Sequence, residues 1–180
     1  MMSPLTRLLI VSTWFQLLWC LAVLGRDTWQ WFTVMLVVMT LIFSAWRGDF
    51  NWRTGFILLM FGVVIDIVNT TIGLLVFDAA PWSSYIALPI WLLALWAIFS
   101  WYAQFLVPML SRYPLLIVSI VGGLAGAASY IAGYKLDAVS LGFSTSVAFA
   151  IFFIEWSVIV LLCMKILNIE AVQDEKDKLA

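Results

Sequence analysis

Histidine is absent from the 180 residues, and charged side chains make up only 11% of them. The chain therefore lacks the side chain that most often acts as a general base or binds a metal ion. The two cysteines, Cys20 and Cys163, lie far apart in apolar stretches and have no CxxC or other metal-ligand spacing. The sequence predicts no metal site and no cofactor.

Positive charge is scarce as well. The net charge is -1, and the lysines and arginines are scattered instead of forming the basic patch that is typical of nucleic-acid binding. Nucleic acid is therefore excluded as a partner. No GxSxG elbow, Walker loop, HExxH or EF-hand pattern occurs, so the sequence does not establish whether the protein is an enzyme.

Apolar residues, in contrast, are in large excess. They make up 65% of the chain, whose mean hydropathy is +1.09, whereas soluble domains contain about 45–50%. They are arranged in blocks of about 20, the length that a helix needs to cross a hydrocarbon core of about 30 Å. The prediction is an all-α, polytopic transmembrane helical bundle. Its six predicted spans are Leu8–Gly25, Trp31–Trp46, Gly55–Phe77, Tyr85–Val107, Pro114–Tyr134 and Gly142–Lys165.

The distribution of lysine and arginine predicts the orientation. With the N-terminus in the cytoplasm, seven basic residues fall on the cytoplasmic side and only Arg26 and Lys135 on the other, as the positive-inside rule favours. An even number of spans returns the C-terminus to the cytoplasm. We therefore expect a six-helix transmembrane domain over residues 1–168 and a charged cytoplasmic C-terminal tail over residues 169–180.

Four polar residues are predicted at similar depths near the middle of three spans. Asp66 and Asn69 share a face of the third span, Glu155 lies in the sixth span, and Gln16 lies in the first. A carboxyl group at the bilayer centre costs about 2.5–3.5 kcal/mol on insertion scales, so such groups usually face the protein interior. If the third and sixth spans are neighbours, Asp66 and Glu155 would hold a proton between them and could serve as a catalytic acid and base.

Five further side chains are predicted to bind the substrate. Gln16 and Asn69 would orient the two carboxyl groups. Trp91, Trp96 and Trp156 lie deep in their spans, where each indole N–H needs a partner that lipid cannot supply. We therefore expect these tryptophans to face the interior of the bundle and to line the same site.

Two other interpretations of the carboxyl residues stay open. The residues could bind and release protons in a small proton-linked transporter, or they could hold helices together in a structural or scaffolding membrane subunit. The glycine-rich fifth span, with a GxxxG pattern from Gly122 to Gly126, also has two interpretations. Tight packing against another helix is favoured over space for a lipid chain or other ligand.

Four stretches of the sequence form a distinctive set. They are Trp14 to Gly25, Gly62-x-x-x-Asp66 running on to Gly73 and Phe77, Pro89 to Phe99, and Gly122-Gly123 to Tyr130-x-x-Gly133. In these stretches, and over nearly its whole length, the chain resembles the bacterial inner-membrane family called domain of unknown function 2878. It departs from the family pattern at Asp137, where glycine is common. The resemblance implies no established activity, but genes of this family often lie near genes for cyclopropane-fatty-acid-synthase-like enzymes, which implies a link to lipid modification.

Together these features predict a multi-pass protein of the bacterial inner (cell) membrane with both termini cytoplasmic. We expect it to act on membrane lipids through the midplane carboxyl site, as an enzyme or as an accessory to one. Its expected partners are the lipid bilayer, a lipid or other hydrophobic small-molecule ligand, and a second membrane protein or further copies of the chain in a homo-oligomer. The sequence identifies neither the reaction nor the substrate.

Overall fold

A computed structural model of the protein describes residues 3–77 and 88–179, with the side chains of residues 3–77 and 88–167. This part of the chain forms five helices and two very short strands. The helices are α1 (Pro4–Trp46), α2 (Trp52–Thr71), α3 (Ile90–Leu110), α4 (Leu115–Lys135) and α5 (Thr145–Leu179), and the strands are β1 (Leu75–Val76) and β2 (Ser140–Leu141). All five helices contain a stretch that is long and apolar enough to cross a membrane. The prediction of an α-helical membrane protein is confirmed at this level.

Helix α1 is a hairpin of two antiparallel arms and not one straight rod of 43 residues. Arg26 has φ 42° and ψ -130°, which interrupts the helical geometry. The indole N–H of Trp14 in the first arm donates to the hydroxyl of Thr40 in the second arm at 3.0 Å, although a straight helix would separate them by about 39 Å. The arms, residues 4–25 and 27–46, are each about 30 Å long, close to the thickness of the hydrocarbon core.

The ends of the helices are held together by polar contacts at two opposite ends of the bundle. At one end, the guanidinium of Arg7 forms an ion pair with Asp49 at 2.8 Å. At the other end, the guanidinium of Arg26 donates to the carbonyl of Leu136 at 3.1 Å. The N-terminus and the α1–α2 loop therefore share one end, whereas the turn of α1 and the loop after α4 share the other.

Helix α2 is shorter than the predicted third span, which extended to Phe77. The left-handed Gly73 (φ +74°) ends the helix, and the N–H of Leu74 donates back to the carbonyl of Asn69 at 2.8 Å in a Schellman motif. The chain then continues as β1, which pairs antiparallel with β2. Hydropathy could not place this end, because the residues after Gly73 are as apolar as those before it.

Helix α4 ends in the same motif without a glycine. The N–H of Ala138 donates to the carbonyl of Gly133 at 2.9 Å, and Asp137 adopts a left-handed conformation with φ 58°. This conformation costs a non-glycine residue roughly 1 kcal/mol. Glycine at this position would remove that strain.

The other predicted spans agree with the helices over most of their length. Helix α4 begins and ends one residue later than the predicted fifth span. The predicted start of the fourth span at Tyr85 lies outside the described residues, and α3 begins directly after Pro89. Helix α5 begins at Thr145, three residues later than predicted, and its backbone stays helical to Leu179 instead of ending at Lys165.

Helix α3 lies at the centre of the bundle. It packs against both arms of α1, against α2 and against α5. At most 6% of the surface is exposed for each of its largest buried side chains, which are Trp91, Trp96 and Trp101. Helix α4 packs mainly against α5.

Glycines of α4 let α5 approach closely. A Cβ atom on Gly123 would lie 2.9 Å from the carbonyl oxygen of Phe153, and one on Gly122 would lie 2.5 Å from a methyl group of Val160. Both positions are too crowded for a larger side chain without a shift of α5. The tight packing predicted from the GxxxG pattern is therefore present on this face of α4.

Gly123→Ala is expected to lower the free energy of unfolding by about 1–3 kcal/mol, because the added methyl group would collide with the backbone of α5. Gly133→Ala on the same helix is the matched control, since a Cβ atom there would meet only Val139, at 4.0 Å. This substitution is expected to be neutral or slightly stabilising. Thermal unfolding of the purified protein in detergent measures both, and equal effects would contradict the packing assigned to Gly123.

Candidate functional site

Asp66 lies on α2 with 0% of its surface exposed and connects three helices. Its Oδ2 atom accepts a hydrogen bond from the indole N–H of Trp96 on α3 at 2.6 Å. Its Oδ1 atom accepts one from the hydroxyl of Tyr130 on α4 at 2.7 Å. Such short bonds are typical of donors to an ionised carboxylate. A single side chain of α2 is therefore tied to both α3 and α4.

Asn69, one turn further along α2, extends the cluster to α5. Its amide N–H donates to Oε2 of Glu155 at 3.0 Å. Asn69 is fully buried, whereas Glu155 is half-buried. The helices that correspond to the third and sixth predicted spans are thus neighbours, and Asn69 links Glu155 to the helix that carries Asp66. The roles of the two carboxyl groups as catalytic acid and base stay a prediction.

Two stacked indole rings lie beside this cluster. The rings of Trp96 and Trp156 are 5.4 Å apart between centroids, with planes only 9° from parallel. Phe99 meets both rings edge-on, at 5.6 and 5.1 Å. A Cβ atom on Gly62 of α2 would overlap the Trp96 ring, and one on Gly126 of α4 would overlap the Trp156 ring. The indole pair is therefore held between the backbones of two helices.

The spacing between Gly62 and Asp66 accounts for the position of Trp96. The two residues are one helical turn apart, so they present the same face of α2 to α3. Gly62 leaves room for the indole ring against the α2 backbone, and Asp66 accepts the indole N–H one turn later. A larger side chain at Gly62 would push the ring away from its acceptor.

A small cavity of about 80 Å³ lies next to the indole pair. Its walls are mainly aromatic and include Trp96, Trp156 and Tyr130. Neither carboxyl group belongs to the described lining, and Trp96 and Tyr130 stand between the cavity and Asp66. Tyr130 thus contacts both the cavity and the buried carboxylate.

A wider cavity of about 730 Å³ shares Trp156 and Phe99 with the small one. It lies between the first arm of α1, α3, α4 and α5, and its lining is mostly apolar. Along α4 it is bordered by residues from Ile117 to Ala132, about 22 Å of helix. Small side chains such as Ala125, which is exposed, leave this space open at the surface of the bundle.

Two predicted site residues lie away from the carboxyl groups. Gln16 borders the wide cavity, and its one described hydrogen bond goes to Sγ of Cys20 on its own helix, at 4.0 Å. Trp91 borders the small cavity and meets Phe77 edge-on at 6.0 Å. Their roles in binding a substrate stay a prediction, and no described hydrogen bond supports the orientation of the carboxyl groups by Gln16.

Tyr130 is a site residue that the sequence alone does not predict. A tyrosine near the end of an apolar span is usually interpreted as an interfacial anchor. The available signal is its spacing from Gly126. Tyr130 lies four residues later and therefore projects towards the same neighbours as the glycine that contacts Trp156.

The carboxyl groups of the cluster are contacted by neutral donors. Among the residues whose side chains are described, no lysine or arginine forms an ion pair with either carboxyl group. The described residues also contain no group of three or more cysteine, aspartate or glutamate side chains that could hold a metal ion. The indole N–H, the phenol O–H and the asparagine amide therefore provide the contacts.

Long apolar helices that surround buried polar groups define a polytopic helical membrane protein. The chain belongs to the family described as Protein of unknown function (DUF2878), whose model matches residues 8–162. The family resemblance inferred from the sequence is confirmed. No curated protein and no solved structure matches the chain.

Trp96→Phe is expected to lower the free energy of unfolding by about 1–3 kcal/mol more than Trp101→Phe, because it leaves an oxygen of Asp66 without its donor. Both substitutions remove a buried indole from α3. The N–H of Trp96 donates to Asp66, whereas that of Trp101 has no hydrogen-bond partner. The control therefore accounts for the lost ring volume. Thermal unfolding in detergent gives both values, and equal losses would mean that the bond to Asp66 contributes nothing.

Proposed function

We propose that this protein binds the acyl chain of a membrane lipid in the wide cavity and acts on membrane lipids, as an enzyme or as an accessory to one. The observation that carries the proposal is the cavity itself, which combines an apolar lining with an opening at the bundle surface. Its volume of about 730 Å³ falls within the range of about 300–1,000 Å³ that is typical of small-molecule sites.

The shape of the wide cavity supports a long, thin ligand. Its lining follows α4 from Ile117 past Ala125 to Ala132. Lipid acyl chains surround a membrane-spanning helix, and an opening at the bundle surface would face them. A chain that enters beside Ala125 would lie along α4 with its inner part against Trp156.

The carboxyl cluster lies behind the inner wall of this path. Trp156 and Phe99 border both cavities, so a chain in the wide cavity would contact the aromatic side chains next to Asp66. Tyr130 borders the small cavity and donates to Asp66. In this proposal Asp66 and Glu155 supply an acid and a base, and Tyr130 is the group through which they reach the ligand.

The same proposal includes six spans, with both termini in the cytoplasm of a bacterial inner membrane. The hairpin form of α1 supports it, because each arm is long enough to cross the hydrocarbon core once. The contacts Arg7–Asp49 and Arg26–Leu136 lie at opposite ends of the bundle. They place Arg7 and Arg26 on opposite sides of the membrane, as the proposed topology does.

Reporter fusions test the number of spans. Alkaline phosphatase fused after residue 180 is expected to be inactive, and a fusion after Asp27 active, because this enzyme forms its disulfides only in the oxidising periplasm. Green fluorescent protein at either terminus is expected to fluoresce. A five-span arrangement, in which α1 crosses once, would instead place the two termini on opposite sides of the membrane.

Ala125→Trp is expected to reduce several-fold the amount of a diazirine-labelled fatty acid that crosslinks to the wall of the wide cavity, because the indole would fill the space. Mass spectrometry of peptides from photolysed membranes measures the crosslinking. The total lipid profile of cells that carry this variant is expected to match that of a strain from which the gene has been deleted.

Leu124→Trp is the matched control for this experiment. Leu124 precedes Ala125, is 47% exposed and does not belong to the described lining of either cavity. The same indole at this position is expected to leave both crosslinking and the lipid profile unchanged. Equal crosslinking in the two variants would overturn acyl-chain binding, and a lipid profile that the gene deletion does not alter would overturn the action on lipids.

A further inference from the structure

We propose that Glu155 carries a proton and forms a pair of hydrogen bonds with the amide of Asn69, so that the cluster is a proton-binding site with Asp66 as its ionised partner. This proposal does not depend on lipid binding in the wide cavity. It rests on the balance of donors and acceptors in the described cluster, where acceptors are in excess.

Asp66 needs no proton of its own. Its two oxygens accept short hydrogen bonds from Trp96 and Tyr130. An indole N–H can only donate, and its bond to a carboxylate is strongest when the carboxylate is ionised. The donors that α3 and α4 supply are therefore used by Asp66 and are not shared with Glu155.

Asn69 provides the observation that points to a proton. Its Nδ2 atom donates to Oε2 of Glu155 at 3.0 Å, but its Oδ1 atom is buried and has no hydrogen-bond donor. An unpaired amide oxygen loses its contact with water and gains nothing in return. Next to an ionised carboxylate, it would also face a second group that only accepts. A donor on the Glu155 side would remove both problems.

A protonated Glu155 is such a donor. A carboxylic acid and a primary amide have complementary edges, because the amide N–H donates to the carbonyl oxygen of the acid while the acid O–H donates to the amide oxygen. The bond from Asn69 to Oε2 is one half of this ring. A proton on Oε1 supplies the other half, and one proton taken up from water is all that the step requires.

The groups around Glu155 favour a proton over a metal ion. Among the described residues, the other titratable side chains of the cluster are Asp66 on α2 and Tyr130 on α4, whereas α3 contributes Trp96, which donates to Asp66 and does not titrate. No described lysine or arginine pairs with it. An ionised Glu155 would add a second negative charge close to Asp66 without a compensating cation, and a proton removes that charge.

The two carboxyl groups then have different tasks. Asp66 is fully buried and fixes the positions of Trp96 and Tyr130 through hydrogen bonds. Glu155 is half-buried, so the proton exchanges with the surroundings at this residue. Asn69 joins the two tasks, because it lies one turn from Asp66 and contacts Glu155 directly.

Infrared spectroscopy of the purified protein at neutral pH tests the assignment, since a protonated carboxylic acid has a C=O band at a higher frequency than carboxylates and amides. We expect an acid band in the wild-type protein that shifts on labelling with 13C-glutamate and not with 13C-aspartate. The other two glutamates, Glu170 and Glu175, lie in the charged C-terminal segment and are expected to be ionised. This isotope experiment does not depend on the folding of a variant.

Two substitutions then separate the carboxyl groups. Glu155→Gln, which has the shape of the protonated acid, is expected to abolish the acid band and to keep the near-UV circular dichroism of the wild type. Asp66→Asn is expected to keep the acid band and to remove the part of the carboxylate absorption that one aspartate contributes. The proposal would be overturned if 13C-glutamate labelling shifted only carboxylate bands. It would also be overturned if the acid band shifted on labelling with 13C-aspartate. A carboxylate band that shifts when Na⁺ replaces K⁺ would also overturn it, in favour of a metal ion.

Discussion

The hydrogen bond from Trp96 to Asp66 is the interaction on which the rest of the site depends. A buried carboxylate inside a membrane bundle is costly, and no water is present in hydrocarbon to replace a missing donor. This requirement brings an N–H from α3 and the O–H of Tyr130 from α4 to one side chain of α2. The indole ring reaches Asp66 because Gly62 leaves space beside it. The need to satisfy one carboxylate thus sets the relative positions of three helices.

The indole pair also separates two kinds of environment. The polar cluster lies beside Trp96, whereas Trp156 and Phe99 line both apolar cavities. Helix α4 supports both environments. Gly123 lies against α5 and Ala125 borders the wide cavity, whereas Gly122 and Gly126 do both. Close helix packing and an open space, which are alternative interpretations of the same glycine-rich sequence, therefore occur together on one helix.

The apolar helices can be predicted from hydropathy, because the cost of each residue in hydrocarbon depends mainly on that residue alone. Contacts between residues that are distant in the sequence cannot be predicted in this way. Tyr130 near the end of a span fits an interfacial anchor as well as a donor to Asp66. Hydropathy also does not reveal that α2 ends at Gly73, because the following residues are apolar as well. Gln16 is predicted at the depth of Asp66, but its one described hydrogen bond goes to Cys20, since a predicted depth says nothing about the position of a helix around the bundle.

The order of synthesis gives the buried carboxylate a further consequence. The hairpin of α1 contains its own hydrogen bond, from Trp14 to Thr40, within the first 46 residues. Asp66 is different, because its donors Trp96 and Tyr130 lie 30 and 64 residues later in the chain. Until α4 has been inserted, the nascent protein carries an incompletely paired acid in the membrane. Such an acid marks an unfinished chain, and the insertion of α4 completes its hydrogen bonding.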